Sequence, residues 1–332
     1  MLEPKREWQE AGINNFDFRL STFDFFWAVI PPLLLLAYYY RRVLAQPPLL
    51  HLLVCFGVGA VLGLIALGLE FGFEYLANRL VNWDRITRSL AGIALRQVVE
   101  VGAIEEGCKL GGMVLFQKSV GLISSRRRHA RHPIKIFLFS IAIALGFTAQ
   151  ENWLYLSNGM ATVSDRLIGT PVHAMFSAPW GYALARNRKL GRGWVNAVIC
   201  HALVNVFSAA GRYSPPLSFL TYGLFPFLLW MFWRLEKLLR RVQRQPPIIL
   251  ISGSRSIHRC WQIGLVLFAL MLGGNSLLGF FLLARILSPL SPSQLFYPDV
   301  LWFIFNRFVL NLIPALLAWG IYRYLRYSAT HQ

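Results

Sequence analysis

The chain has 332 residues, of which 56% are hydrophobic and only 14% are charged, and it carries a formal net charge of +18. Soluble domains contain about 25% charged residues, so this composition indicates a membrane protein and excludes an ordinary soluble enzyme. No stacking platform or recognised nucleic-acid fold accompanies the positive charge, so the sequence indicates no nucleic-acid partner.

Nine apolar stretches are long enough, or nearly so, to cross the ~30 Å hydrocarbon core of a bilayer as helices. They lie near residues 24–41, 50–77, 90–116, 136–158, 168–185, 194–210, 216–234, 261–284 and 300–321. The sequence therefore predicts an all-α polytopic membrane protein with about nine transmembrane helices. Glycines in the second stretch, including Gly59 and Gly63, are expected to allow close contact between helices.

Lysine and arginine residues gather in every second loop, as the positive-inside rule describes for cytoplasmic segments. The loop after the third stretch, for example, contains Arg126, Arg127, Arg128 and Arg131. This alternation predicts an N-terminus outside and a C-terminus in the cytoplasm, and basic loops of this kind favour membrane lipids with anionic head groups. The first 22 residues do not have the pattern of a cleavable signal peptide, which favours a bacterial inner (plasma) membrane.

We predict four segments along the chain. An extracytoplasmic N-terminal segment (1–23) precedes a seven-helix membrane core (24–234), which is followed by a basic cytoplasmic linker (235–260) and a C-terminal pair of transmembrane helices (261–332). The linker prediction rests on its basic composition and on the pair Pro246-Pro247.

The third apolar stretch contains two adjacent glutamates, Glu105 and Glu106, with Lys109 one helical turn away. A charge at the bilayer centre costs at least ~2.5–3.5 kcal/mol, so intramembrane ionisable groups are candidate functional residues. Residues three or four apart share one face of a helix, so Lys109 is expected to face both carboxylates. Such a group can supply a general base that activates water. Arg96 and Glu100 are expected to form a separate, structural pair.

The next three stretches also contain polar groups at membrane depth. These residues are Glu151 and Asn152 in the fourth stretch, His173 in the fifth, and His201 and Asn205 in the sixth, and Phe147 lies one helical turn before Glu151. A neutral imidazole can act as an acid, a base or a metal ligand, and an amide can stabilise a developing oxyanion. A single intramembrane His or Asn is usually structural. Packing does not require polar groups on four consecutive helices, so we predict a functional site here.

In this order the motifs resemble the PrsW family of intramembrane proteases, which shares a superfamily with the CAAX prenyl endopeptidases. The resemblance covers about residues 90–210. It rests on the motifs Glu105-Glu106-x-x-Lys109, Phe147-x-x-x-Glu151-Asn152, His173 and His201-x-x-x-Asn205. Two positions depart from the usual patterns: Asn205 stands where many PrsW members have Asp, and Glu151 stands where the CAAX enzymes have His.

The resemblance implies an intramembrane protease that hydrolyses peptide bonds of membrane-protein or membrane-anchored peptide substrates without a cofactor. Glu105 would deprotonate a water molecule, with Glu106 and Lys109 setting its charge. Phe147 and Asn152 would be supporting residues.

The same resemblance implies roles for the remaining groups. His173 and His201 would orient the water or protonate the leaving amine, and Asn205 would stabilise the oxyanion. Glu151 would orient a histidine or bind water.

Three alternative interpretations remain open at this point. A metal-dependent protease would use the glutamates and histidines to hold Zn²⁺, which accepts nitrogen and oxygen ligands, although no HExxH motif is present. A proton- or ion-coupled transporter would use the same groups as a relay, but inverted repeats and broken helices are not evident. A non-proteolytic binding protein would not require the complete set of polar residues.

Overall fold

The computed structural model describes residues 22–119, 133–210, 220, 223–245, 250, 256–287 and 290–330. These residues contain helices and no β-strand, which confirms the predicted all-α fold class. The predicted N-terminal segment lies outside the described residues up to residue 21. The same holds for the basic stretch 120–132 and for much of the predicted linker.

Each of the nine predicted apolar stretches contains a described helix, although residues 216–219, 221 and 222 of the seventh lie outside the described residues. In chain order they are α1 (Thr22–Arg41), α2 (Leu49–Leu80), α3 (Trp83–Ile86), α4 (Leu90–Arg96), a π-helical turn (Gln97–Val101), α5 (Gly102–Ser119), α6 (Pro133–Ser157), α7 (Val163–Ala185), α8 (Leu190–Ala210), α9 (Leu224–Val242), α10 (Ser256–Leu287), α11 (Pro292–Leu295) and α12 (Pro298–Thr330). Helix α9 continues through the predicted segment boundary at residue 234.

Six of the described helices are long and apolar enough to cross a membrane, namely α1, α2, α6, α8, α10 and α12. The protein is therefore an integral membrane protein. Helices α5, α7 and α9 occupy the other predicted stretches, but they contain more polar and charged residues. Whether these three cross the bilayer, and which side each terminus faces, stay predictions.

Contacts between helices divide the chain into two compact units, Met1–Gln245 and Pro246–Gln332. In the first unit α6 is the central helix and packs against α1, α2, α5, α7 and α9. Its side chains are buried on all sides from Ile136 to Gln150, as expected for a helix that is apolar around its whole circumference. In the second unit α10 packs against α12.

The backbones of α2 and α6 approach each other closely at two glycines. A β-carbon added at Gly59 would overlap the carbonyl group of Ile143, and one added at Gly146 would overlap the carbonyl group of Phe56. Small residues permit this kind of contact between transmembrane helices. The contact holds α6, which carries Glu151, tightly against α2.

Replacement of Gly146 by Ala is expected to destabilise this contact, because the carbonyl of Phe56 belongs to the backbone and cannot rotate away. We expect a loss of ~1–3 kcal/mol in the free energy of unfolding, as for other overpacked cores. Thermal unfolding of the purified protein in detergent measures it. Gly57 is the matched control, since a β-carbon there would meet no atom within 4 Å. Equal unfolding temperatures for Gly146→Ala and Gly57→Ala would contradict the described packing.

Candidate active site

Lys109 is fully buried on α5 and contacts three acceptor atoms. Its Nζ lies 3.1 Å from Glu105 Oε2, 2.8 Å from Glu106 Oε1 and 2.9 Å from His173 Nδ1. An ammonium group has three N–H donors and no acceptor, so all three are used. The ring of Phe147, with its centroid 4.0 Å away, adds a cation–π contact. The predicted pairing of the lysine with both glutamates is present in the structure.

One face of α7 carries a row of polar side chains towards α5 and α6. The row consists of Arg166, Thr170, His173, Ser177 and Trp180, which follow one another at spacings of four and three residues. That spacing keeps side chains on one face of a helix. A capping box closes the first turn of α7, so the row begins close to a well-formed helix end.

The two adjacent glutamates have unequal environments. Glu106 is fully buried and accepts hydrogen bonds from Lys109, from Ser177 Oγ at 3.2 Å and from Trp180 Nε1 at 2.9 Å. Glu105 is 8% exposed, and Lys109 is its one hydrogen-bond donor among the described residues. Glu106 is therefore held by three donors, while Glu105 keeps unused acceptor positions.

His173 has a hydrogen-bond partner on each ring nitrogen. Nδ1 lies 2.9 Å from the ammonium of Lys109, and Nε2 lies 2.6 Å from Glu151 Oε2. Because the ammonium can only donate, Nδ1 must accept. The neutral ring then carries its proton on Nε2 and donates it to Glu151. The contact with Glu151 is the one expected if Glu151 orients a histidine.

His201 approaches both glutamates without bonding to them. Its Nε2 lies 3.9 Å from Glu105 Oε2, and its Nδ1 lies 3.6 Å from Glu106 Oε1. Both distances exceed a hydrogen bond, and Nδ1 is buried with no hydrogen-bond partner among the described residues. The ring stacks on Phe176 with centroids 4.4 Å apart, which fixes its plane.

The two asparagines contact neighbours of the glutamate–lysine cluster. Asn205 donates from Nδ2 to Gln97 Oε1 at 2.7 Å. Asn152 accepts from Arg166 Nε at 2.6 Å and donates to Thr170 Oγ1 at 3.3 Å. Among the described residues, neither asparagine side chain forms a hydrogen bond with the side chain of Glu105 or His201.

The π-helical turn Gln97–Val101 precedes the glutamates and contains Glu100, which belongs to a second polar group. Arg96 Nη2 lies 3.2 Å from Glu100 Oε1, which confirms the predicted structural pair, and Trp83 Nε1 donates to Glu100 Oε2 at 2.8 Å. Single π-turns inside helices often occur near functional sites. Here the turn places Gln97 against Asn205.

Sequence reasoning missed Arg166, Trp180 and Gln97. Arg166 precedes the predicted start of the fifth stretch at residue 168, whereas α7 begins at Val163. The missed signal is the spacing, since Arg166 lies seven residues before His173 and Trp180 lies seven residues after it. Gln97 had no signal of its own, because its contact with Asn205 spans 108 residues.

Three of the residues could also bind a metal ion. Glu105, His173 and His201 each offer one donor atom, and the three atoms lie within 4.8 Å of one another. Two histidines and a carboxylate are a donor set of catalytic zinc sites, so the residue types fit. However, both nitrogens of His173 and one oxygen of Glu105 already have partners. A metal ion bound through Glu105 Oε2 or His173 Nδ1 would require Lys109 to withdraw from that atom.

The polar cluster lies in the part of the chain that matches a known protein family. A family model described as "PrsW family intramembrane metalloprotease" matches residues 47–231, which is more than half of the chain and includes every residue of the cluster. The curated "Protease PrsW" of Clostridioides difficile (strain 630) is 26% identical over 147 residues, or 42% of this chain. The chain spans 56% of the length of that relative. No solved structure matches the chain.

Replacement of Lys109 by Met is expected to leave two buried carboxylates without their cation. Removing one partner of a buried ion pair costs ~3–5 kcal/mol, and we expect a loss of that size in the free energy of unfolding. Chemical or thermal unfolding in detergent measures it. Lys118→Met is the matched control, because Lys118 is exposed on the same helix. A similar, small effect in both variants would mean that Lys109 does not hold the cluster together.

Proposed function

Because the chain belongs to the PrsW family of intramembrane proteases, we propose that it is an intramembrane endopeptidase in which Glu105 activates the attacking water. The substrates would be membrane proteins or membrane-anchored peptides, since the glutamate–lysine cluster lies among the apolar helices of the first compact unit. We further propose that the protein lies in a bacterial inner membrane, with its N-terminus outside. Its basic loops would lie on the cytoplasmic side, where they would contact anionic lipid head groups.

The observation that carries this proposal is the unequal bonding of the two glutamates. A carboxylate that already accepts three hydrogen bonds, as Glu106 does, is a poor base for water. Glu105 has a single donor in Lys109 and keeps acceptor positions free. It therefore has both the capacity and the access, small as its exposure is, to take a proton from water.

His201 is the second group of the proposed site, after Glu105, that can accept a proton. A water molecule between Glu105 Oε2 and His201 Nε2, which are 3.9 Å apart, could hydrogen bond to both groups at ordinary distances. Glu105 would accept a proton while the water oxygen attacks the peptide carbonyl carbon. When the C–N bond breaks, the leaving amine would take a proton back from Glu105 or His201.

His173 receives a different task from His201. Both of its nitrogens are bonded, so proton exchange at either one would break a contact with Lys109 or Glu151. We assign it the role of orienting the ammonium of Lys109. Asn205 could stabilise the oxyanion through its second N–H while the first stays on Gln97, which remains a prediction.

A metal-dependent protease is the second candidate, favoured by the three convergent donor atoms. Glu105, His173 and His201 would hold the ion. A bound zinc ion would act as a Lewis acid and generate a nucleophile from its bound water. In that version the ammonium of Lys109 would be displaced from Glu105 and His173 and would remain paired with Glu106.

Replacement of Glu105 by Gln is expected to reduce cleavage by at least ~100-fold, the lower range of general base catalysis, at a normal protein level. Because no substrate is known, membrane proteomes of cells that carry the wild-type protein or Glu105→Gln are compared first. Proteins that accumulate intact with the variant are candidate substrates. They are then tested with purified protein in proteoliposomes.

Glu236→Gln is the matched control for this substitution. Glu236 forms an ion pair with Arg42 at 2.6 Å, away from the glutamate–lysine cluster, and its replacement should leave cleavage unchanged. Full cleavage by Glu105→Gln at the same protein level would contradict the assignment of Glu105 as the base that activates water.

The metal question is decided by metal analysis of chelator-washed protein together with its cleavage rate. If Glu105 and Lys109 act as proposed, cleavage persists when less than stoichiometric metal is bound, because no step of that reaction uses a metal ion. Loss of cleavage on washing, with recovery on stoichiometric zinc, would establish the metal-dependent candidate instead.

A further inference from the structure

Arg166 is a buried charge that the proposed reaction does not use. It lies in the first turns of α7, and only 3% of its surface is exposed. A buried guanidinium is costly unless it is paired and hydrogen-bonded. Its partners therefore indicate why it is there.

Three side chains of one turn of α6 surround the guanidinium. Nε donates to Asn152 Oδ1 at 2.6 Å, and Nη2 lies 3.2 Å from Glu151 Oε2. The ring of Tyr155 stacks at 4.5 Å from Cζ to the centroid. A planar guanidinium held on two edges and one face has little freedom to rotate. Asn152, which also donates to Thr170 on α7, is fixed at both ends.

The same oxygen of Glu151 that Arg166 contacts also accepts from His173 Nε2 at 2.6 Å. His173 in turn accepts from Lys109 through Nδ1. A continuous series of polar contacts thus joins Arg166, Glu151, His173 and Lys109 across α5, α6 and α7. Glu151 thus contacts both Arg166 and His173 through one oxygen, which gives Arg166 a direct route of action on the histidine.

We propose that Arg166 is a positioning residue: it holds the carboxylate of Glu151 where it accepts the Nε2 proton of His173, and so fixes the tautomer that bonds to Lys109. Its fixed charge is what a neutral residue could not supply. The positive charge of Arg166 neutralises the carboxylate of Glu151, so the positive charge of Lys109 remains available to neutralise Glu105 and Glu106. Without Arg166 the partly buried carboxylate of Glu151 would compete for Lys109 or for the proton of His173.

The significance for cleavage rests on the proposed function, whereas the contact itself does not. The first measurement therefore needs no substrate. The full-length protein, labelled with ¹⁵N in its histidines, is purified in detergent, and the His173 resonances are assigned with His173→Gln. The wild type is expected to show a protonated Nε2 whose hydrogen exchanges slowly with water.

Two substitutions separate charge from shape. Arg166→Met should abolish the slowly exchanging Nε2 hydrogen of His173, while Arg166→Lys should retain it in part. Asn152→Ala, which removes the acceptor of Arg166 Nε but keeps the charge, should weaken the signal less than Arg166→Met and serves if that variant fails to fold. An unchanged His173 signal in the folded variants would overturn the proposal.

Arg96→Met is the matched control, since Arg96 is also buried and pairs with a glutamate at 3.2 Å. It should lower the unfolding temperature and keep the His173 signal. Loss of the signal in this control as well would mean that the signal reports general loosening, and it would overturn the specific role of Arg166.

Cleavage gives the second measurement once a substrate is known. Arg166→Met should lower kcat about 10–100-fold, with little change in KM. This is the range found for residues that orient metal-binding histidines through a hydrogen bond. In the Glu151→Gln background the same substitution should change kcat by less than about 2-fold, because coupled residues are not additive. Equal losses in both backgrounds would overturn action through Glu151. If the wild type cleaves nothing, the proposed function fails, and the His173 signal still decides the role of Arg166.

Discussion

The polar cluster depends on one buried ammonium group. The free-energy cost of removing a charge from water is offset only when the geometry is good and additional hydrogen bonds form. Lys109 meets that condition, because it has three hydrogen-bond acceptors and contacts an aromatic face. The acceptors come from α5 itself and from α7. An arrangement that separated α5 from α7 would leave one N–H of the ammonium without the His173 acceptor in an apolar interior, so Lys109 restricts how these two helices can pack.

The neighbours on α7 make two adjacent glutamates chemically different. Ser177 and Trp180 donate to Glu106 and leave Glu105 with Lys109 alone. Both side chains belong to the same helical row as His173, so one helix face divides the pair into a held carboxylate and a freer one. The asymmetry between the two carboxylates is therefore a product of packing. It does not come from the residue type, since both are glutamates.

Membership of the PrsW family is supported over residues 47–231, and the complete polar cluster lies inside that range. The helix pair α10 and α12 lies outside it, in the second compact unit. Lys109 bonds to Glu105 Oε2 and to His173 Nδ1, so a metal ion bound through those two atoms would have to displace the ammonium.

The sequence by itself determined the helical fold class, the nine apolar stretches and the contacts of Lys109 with Glu105 and Glu106. These follow from local geometry, because residues three and four apart meet on any α-helix. Only the tertiary structure decided that Trp180 and Ser177 hold Glu106, that Asn205 turns to Gln97, and that a buried Arg166 supports Glu151. Those contacts join different helices. They depend on how α5, α6, α7 and α8 pack against one another and, for Arg166, on a helix start that lies several residues before the apolar stretch begins.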